Sequence, residues 1–337
     1  MERDLTNSYD VTPVNGILEV TKKQLTITAD SGSKVYDGTP LIKDSYQSTD
    51  LAEGDSITAI KITGSQTAAG SSENVPSDWK IENSANEDVT ECYAITPVNG
   101  LLKVTSNKEV IITAASDKKE YDGTALTNDN YSVAGLATGD SVTSVTVTGS
   151  QITAGTGENV PSEWVITNAA GEDVTGSYEV TPVNGSLIVT KKALTVTADT
   201  AKKTYDGTAL TKNGYSSTEL ATGDHIANVT VTGSQTLAGT ADNVPSEIKI
   251  ENAAGEDVTG SYEIIPVNGS LIVSRKGLTI KANNDSKIYD GTELTNKGYT
   301  NTNLVSGDSL ESVSVKGSQI TVGTSDNVPA DAKMIKD

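Results

Sequence analysis

The sequence predicts an all-β fold: a tandem array of about four small sandwich-like domains of about 84 residues, forming an elongated rod. Three observations predict it. The tetrapeptide Tyr-Asp-Gly-Thr begins at Tyr36, Tyr121, Tyr205 and Tyr289, at spacings of 85, 84 and 84 residues, and a fixed period of this size marks a repeat architecture. Within one period apolar residues alternate with threonine, as in Leu194-Thr195-Val196-Thr197 and Val145-Thr146-Val147-Thr148. That is the period-two pattern of a half-buried strand with β-branched residues on both faces. No amphipathic helix of useful length competes with it.

The other landmarks keep the same period. Gly-Ser-Gln begins at Gly64, Gly149, Gly233 and Gly317; Asn-Val-Pro at Asn74, Asn159, Asn243 and Asn327; Pro-Val-Asn-Gly at Pro13, Pro97, Pro182 and Pro266. Residues 168–179 and 252–263 are the same twelve-residue string, NAAGEDVTGSYE, the mark of recent duplication. These landmarks place three full repeats at 24–108, 109–192 and 193–276, the C-terminal part of another at 1–23, and a truncated one at 277–337. Both ends read as broken repeats, so the chain is expected to be a fragment of a longer array.

Inside a repeat, six to eight short strands are expected, and turn chemistry punctuates them. Asn99-Gly100, Asn184-Gly185 and Asn268-Gly269 lie between apolar runs, which predicts hairpins closed by type I′ turns. Pro97, Pro182 and Pro266 cannot donate to a ladder, so the strand that carries them is expected at a sheet edge or bulge. The Asp-Gly of Tyr-Asp-Gly-Thr predicts a second tight turn. The joints at Ser106–Glu109, Lys191–Ala193 and Arg275–Gly277 are neither Gly/Ser-rich nor Pro-rich tethers. Stiff joints between units of about 35–45 Å would give a rod on the order of 150 Å long.

Composition closes off several function classes. Length alone, 337 residues, would suggest about two average domains, but the repeat overrides that prior. With 25 basic against 45 acidic side chains, the net charge of −20 disfavours nucleic acid and anionic lipid as partners. The second and third repeats carry −7 and −4 each, which keeps near-identical β-domains soluble and opposes their mispairing. Only 4% of residues are aromatic and none is Phe, little for a large enzyme core. No apolar run approaches the roughly 18 to 20 residues that cross a bilayer, so direct membrane insertion is not expected. Met1–Asp10 shows no signal-peptide apolar region, and one cysteine permits no internal disulfide.

The candidates for chemistry are few. His225 stands where other copies have Ser56, Ser141 and Ser309, and Cys92 where they have Ser8, Ser177 and Ser261; both read as surface drift rather than as an acid–base group or a reactive thiol. The pairs Glu87-Asp88, Glu172-Asp173 and Glu256-Asp257 sit in turn-like surroundings where Asp caps backbone. The sharper candidates are Asp55, Asp140, Asp224 and Asp308, each after a Gly in a loop, whose hard oxygens suit Ca²⁺. They lack a DxDxDG ladder, and Lys22-Lys23, Lys191-Lys192 and Arg275-Lys276 place cations at the joints. Solvated acidic faces are the preferred reading. Lys34, Lys119, Lys203 and Lys287 were weighed for an isopeptide bond, against a polar strand start. Tyr36, Tyr46 and Tyr93, with Trp79 and Trp164, read as core or core edge rather than as a sugar-stacking platform. No catalytic residue, metal or cofactor is expected.

The order KxYDGTxLT, LATGDSV, VTVTGSQ and GEDVTGSYEVTPVNGSLIVTKKALTVTAD resembles the MBG/YDG-type, bacterial Ig-like repeats of large surface proteins. The resemblance covers essentially the whole chain. It implies Ig-like or β-grasp-like domains, an extracellular location on a bacterial cell surface, and a non-enzymatic stalk that projects other domains of an adhesin. Neighbouring repeats of the same chain are the first expected partners. The alternative is a multivalent adhesive array for host glycan or extracellular matrix protein.

Overall fold

The computed structural model describes residues 1–106 and 108–336. Asn107, inside the joint Ser106–Glu109, and Asp337, the last residue of the truncated repeat, lie outside the described residues. The first repeat contains seven strands: β1 (Lys23–Ala29), β2 (Gly32–Val35), β3 (Tyr46–Ser48), β4 (Ser56–Thr63), β5 (Gly70–Glu82), β6 (Tyr93–Val98) and β7 (Gly100–Thr105). The second repeats them as β8 (Lys108–Ala114), β9 (Asp117–Glu120), β10 (Tyr131–Ala134), β11 (Ser141–Thr148), β12 (Gly155–Thr167), β13 (Tyr178–Val183) and β14 (Gly185–Thr190). The third has β15 (Lys192–Ala198), β16 (Ala201–Thr204), β17 (Tyr215–Ser217), β18 (His225–Thr232), β19 (Gly239–Glu251), β20 (Tyr262–Val267) and β21 (Gly269–Ser274). The fourth contributes β22 (Thr279–Ala282), β23 (Tyr299–Thr302), β24 (Asp308–Lys316) and β25 (Val328–Lys336). The alternation seen in the sequence is alternation of burial: in β1, Leu25, Ile27 and Ala29 are buried while the threonines between them are half-buried.

Each full repeat is built around two sheets. In the first, β1 lies between β3, antiparallel, and β6, parallel with Lys23 opposite Tyr93. The second has the order β2-β7-β5-β4, with β7 parallel to β2 and antiparallel to β5. The long strand β5 serves two partners. Gly70–Asn74 pairs with β7, and Val75–Glu82 pairs with β4. Its change of direction falls at a bulge opposite Ala59, where Asp78 has φ 52°, as bulges bend and twist a strand. The third repeat has the same two sheets, β17-β15-β20 and β16-β21-β19-β18.

One expectation is corrected. Asn99-Gly100 does not close a type I′ hairpin: β6 pairs with β1, whereas β7 pairs with β2 and β5. The glycine is required for a different reason. A Cβ on Gly100 would lie 2.6 Å from the carbonyl oxygen of Ala29 and closer still to that of Asp30. The chain crosses from one sheet to the other at this point, pressed against the end of β1. Gly185 and Gly269 meet the carbonyls of Ala114-Ala115 and Ala198-Asp199 in the same way. The proline expectation matches the sheet order, because β6, β13 and β20 are edge strands. The Asp-Gly turn is also where expected, with Gly38 at φ 83°, a conformation that costs glycine nothing.

The chain divides into two compact units, and the division falls inside the second repeat rather than between repeats. The first unit holds Met1–Ser116, Asn128–Gly149 and Glu158–Gly185; the second holds Asp117–Thr127, Ser150–Gly157 and the described residues from Ser186 on. Within the first unit, one core belongs to the first repeat alone: Leu25, Ile27, Ile81 and Tyr93, with Trp79 and Ile57 packed against it. Another core straddles the joint. It joins Tyr36, Leu41, Leu102 and Val104 of the first repeat to Val110, Ile112, Ile166 and Tyr178 of the second. The second unit repeats that construction with Tyr121, Leu126, Leu187 and Val189 packed on Leu194, Val196, Ile250 and Tyr262. Only Lys191 separates β14 from β15.

Candidate functional site: the tyrosine–aspartate junctions

The most elaborate recurrent arrangement lies where one repeat meets the next. Its first half is the Tyr-Asp-Gly-Thr turn. Lys34 Nζ donates to Asp37 Oδ1 at 2.7 Å, to the carbonyl of Thr39 at 2.6 Å and to Thr39 Oγ1 at 2.7 Å, and Thr39 N caps Asp37 at 2.9 Å. These bonds, that from Lys34 first, hold the Asp37 carboxyl well below the usual carboxylate range. Lys119 with Asp122 and Lys203 with Asp206 reproduce the brace at 2.7 Å. The invariant lysine therefore serves the turn. Its partner is an ionised aspartate, which gives an isopeptide bond neither an asparagine nor a protonated acid.

The braced turn presents Tyr36 to the next repeat. Its hydroxyl donates to Asp140 Oδ2 at 2.6 Å, and Tyr178 of that next repeat donates to the same oxygen at 2.6 Å. The rings meet edge to face, 5.3 Å between centroids at 79°, a favoured aromatic geometry. Tyr178 also accepts the backbone N–H of Ala137 at 2.9 Å. In the second unit, Tyr121 and Tyr262 donate to Asp224 Oδ2 at 3.0 and 2.7 Å, with rings 5.4 Å apart. Burial, and then the neighbouring carboxylate, raise the hydroxyls of Tyr178 and Tyr121 from the ordinary 10.0 to about 12. Tyr36 and Tyr262 are raised for the same reasons. Neutral tyrosine donating to ionised aspartate is the state this geometry stabilises.

Two smaller latches accompany the triad. Ser177 and Ser261, each 2% exposed, accept backbone N–H groups from the preceding repeat, Ala69 at 2.8 Å and Ala154 at 3.1 Å. Within each repeat a buried asparagine ties two loops. Asn74 Nδ2 donates to the carbonyls of Asp30 and Lys43 at 3.0 and 2.9 Å, and Asn159 and Asn243 do the same to their counterparts. The glycine of Gly-Ser-Gln makes room for it: a Cβ on Gly64 would lie 2.6 Å from Asn74 Oδ1. The conserved spacing of Gly-Ser-Gln and Asn-Val-Pro is thereby explained as one contact.

The aspartates weighed for calcium have other partners. Asp140 and Asp224 each receive two tyrosine hydroxyls, Asp55 receives Tyr93 at 2.6 Å, and Asp308 receives Tyr205. Among the described residues no group of three or more His, Cys, Asp or Glu side chains could hold a metal ion. Asp88, Asp173 and Asp257 cap the backbone N–H of Thr90, Thr175 and Thr259, as the turn reading expects. His225 and Cys92 are exposed. Tyr36 and Tyr93 are core at 2% and 4% exposure, but the Tyr46 position is not uniformly so, since its counterparts Tyr131 and Tyr215 are 38% and 40% exposed. Sequence reasoning missed the junctional serines and the shared carboxylate. The signal was present as a Ser and a Gly-Asp at fixed positions in successive copies.

No protein-family model matches this chain, and no curated protein matches it. Among solved structures, the N-terminal four Ig domains of Dscam1 isoform 9.44 are 11% identical, with 75% of this chain and 73% of that chain covered and a TM-score of 0.18. The N-terminal eight Ig domains of Down Syndrome Cell Adhesion Molecule isoform 1.30.30 are 12% identical, covering 80% and 45% respectively, with a TM-score of 0.18. No described helix is long and apolar enough to cross a membrane.

Proposed function

We propose that this chain is a non-enzymatic stalk segment of a bacterial cell-surface adhesin, a spacer that projects other domains from the cell. The observation that carries this reading is the fused core at the joints. A spacer must resist bending where its units meet. Here the joint is a packed interior, with Tyr36, Leu102 and Val104 of one repeat buried against Val110, Ile112 and Tyr178 of the next and clamped by one shared carboxylate. The recurrent polar side chains of the repeat, Lys34, Asp37, Asn74 and Asp140, are all engaged in holding turns, loops and tyrosines. The resemblance to MBG/YDG-type repeats adds the extracellular, cell-surface setting.

Small-angle scattering of the full chain tests the proposal. An extended distance distribution supports it, and a compact globule or freely jointed beads would overturn it. A second reading, repeated adhesive surfaces for host glycan or matrix protein, draws on the exposed Tyr131 and Tyr215, since stacking faces at a fixed period suit avidity. A glycan and matrix-protein array separates the two: retention of the chain favours adhesion, and loss of that retention in Tyr131→Ala/Tyr215→Ala assigns it to these rings.

A further inference from the structure

The fourth repeat lacks the two strands that follow β25 in the pattern of the others, and its sheets are correspondingly reduced to the pairs β22-β23 and β24-β25. In the first and third repeats, β7 and β21 run between two strands, β2 and β5 or β16 and β19. In the fourth, the segments equivalent to those flanking strands, 285–288 and 323–327, are irregular. Between them lies an open cavity of about 540 Å³, lined by Asp285, Lys287, Tyr289, Leu294, Gly323 and Asn327 among others. It has the place of the missing strand. Tyr289 is 63% exposed there, against 2% for Tyr36.

The missing segment is present at the other end of the chain. Tyr9-Asp-Val-Thr-Pro-Val-Asn-Gly-Ile-Leu-Glu-Val-Thr21 aligns with 93–105, 178–190 and 262–274, with Tyr9, Pro13, Val14, Asn15, Gly16, Leu18 and Val20 matching in every copy. Its side chains have no core to enter: Ile17, Leu18 and Val20 are 93%, 100% and 98% exposed, whereas Leu102 and Val104, the counterparts of the last two, are 0% and 2% exposed. The segment also keeps the local structure of the other copies. Thr6–Ser8 forms the single 3-10 turn found at Thr90–Cys92, and Asp4 accepts from Thr6 N at 2.9 Å as Asp88 does from Thr90 N.

We infer that residues 9–21 of a second copy of this chain insert into the fourth repeat and complete its two sheets, so that copies associate head to tail by strand donation. The partners are those used inside the chain. Tyr9–Val14 adds parallel to β22, as β6 does to β1. Gly16–Thr21 enters the cavity, as β7 enters between β2 and β5. Leu18 and Val20 then pack on Tyr289 and Leu294, as Leu102 and Val104 pack with Tyr36 and Leu41. Asn15 reaches Asp326, as Asn268 reaches Asp242. Asp308 supplies an independent pointer. It already accepts from Tyr205, yet its Oδ1 is buried without a hydrogen-bond partner. Its counterparts Asp140 and Asp224 each hold two tyrosines, and Tyr9 is the second one for Asp308. A heterologous contact of this kind does not close, so chains rather than a single dimer form.

Sedimentation velocity and light scattering on the full chain across the micromolar range test this. The expected result is a weight-average mass that climbs with concentration through successive multiples of the monomer. Leu18→Asp/Val20→Asp, in a segment with no packed neighbours to disturb, returns the chain to monomer. Glu19→Lys, at the position of exposed Lys103, leaves the assembly unchanged, and a synthetic peptide of residues 4–22 caps the acceptor and shortens the chains. A chain that is monomeric throughout, or oligomers that survive Leu18→Asp/Val20→Asp, would overturn the inference.

Discussion

Tyr36 and Tyr178, one from each of two successive repeats, donate to the same oxygen of Asp140 at 2.6 Å. The contact is a consequence of the period itself. A residue that ends one repeat's second sheet is completed by a residue of the next repeat's first sheet, so the packing unit is offset from the sequence unit.

The shared acceptor makes the two hydroxyls interdependent. Tyr36→Phe and Tyr178→Phe keep their rings and lose one hydrogen bond to an ionised group, at about 1.5 to 3 kcal/mol each. Asp140→Ala, which strands both hydroxyls, costs more than either. In urea unfolding the double Phe variant departs from the sum of the singles by about 0.5 kcal/mol or more. Strict additivity would show that the two bonds are independent, against the geometry.

Alkaline pH attacks the same place. The Tyr178 and Tyr121 hydroxyls rise from 10.0 to about 12 in the folded chain. A group whose folded value is raised contributes stability that is fully present below its unfolded value and is lost as pH rises through the folded one. Stability is therefore expected to be insensitive to these tyrosines below pH 10 and to fall between 10 and about 12. Tyrosinate absorbance followed alongside circular dichroism checks it: part of the tyrosine titration coincides with unfolding. Tyr36→Phe/Tyr178→Phe has less of this alkaline loss. An equal loss in that variant would place the origin elsewhere.

Two glycines of the second repeat give opposite outcomes. Gly185→Ala drives a methyl group against the carbonyls of Ala114 and Ala115, and the nearest atoms are backbone, so destabilisation of about 3 kcal/mol or more follows. Gly176 meets nothing within 4 Å and has no left-handed φ, so Gly176→Ala is neutral or stabilises by up to about 1 kcal/mol. Thermal unfolding of the pair decides it. Tolerance of alanine at Gly185 would contradict the crossing between sheets described above.

The fold was legible in the sequence to different depths. Alternation in Leu194–Thr197 identified strands because period two is a local property, and Pro97 identified an edge because its missing donor is local too. Asn99-Gly100 misled for the converse reason. The dipeptide has the chemistry of a type I′ turn, but its glycine answers the close approach of Ala29 and Asp30, seventy residues away along the chain. The junction was hidden in the same way. Asp140 follows a Gly in an acidic loop and looked like a cation ligand, and only its position between Tyr36 and Tyr178 shows that it accepts protons from tyrosines instead. The serine replaced by Cys92 looked incidental, although Ser177 and Ser261 are buried latches to the preceding repeat.

The two tryptophans give a direct test of the offset between sequence unit and packing unit. Trp79 packs on the core confined to the first repeat, while Trp164 packs on the core that straddles the first joint. The third repeat has Ile248 at this position, so Trp79→Ile and Trp164→Ile provide single-tryptophan backgrounds with little disturbance. Leu25 belongs to the confined core and Leu102 to the straddling one. Either Leu→Ala change removes about 2 to 5 kcal/mol from its own core. If the cores are organised as described, Leu102→Ala, a substitution in the first repeat, lowers the unfolding midpoint reported by Trp164 in the second repeat more than that reported by Trp79 in its own. Leu25→Ala has the reverse preference. Were the sequence repeat also the packing unit, both substitutions would act chiefly on Trp79, and Trp164 would report neither.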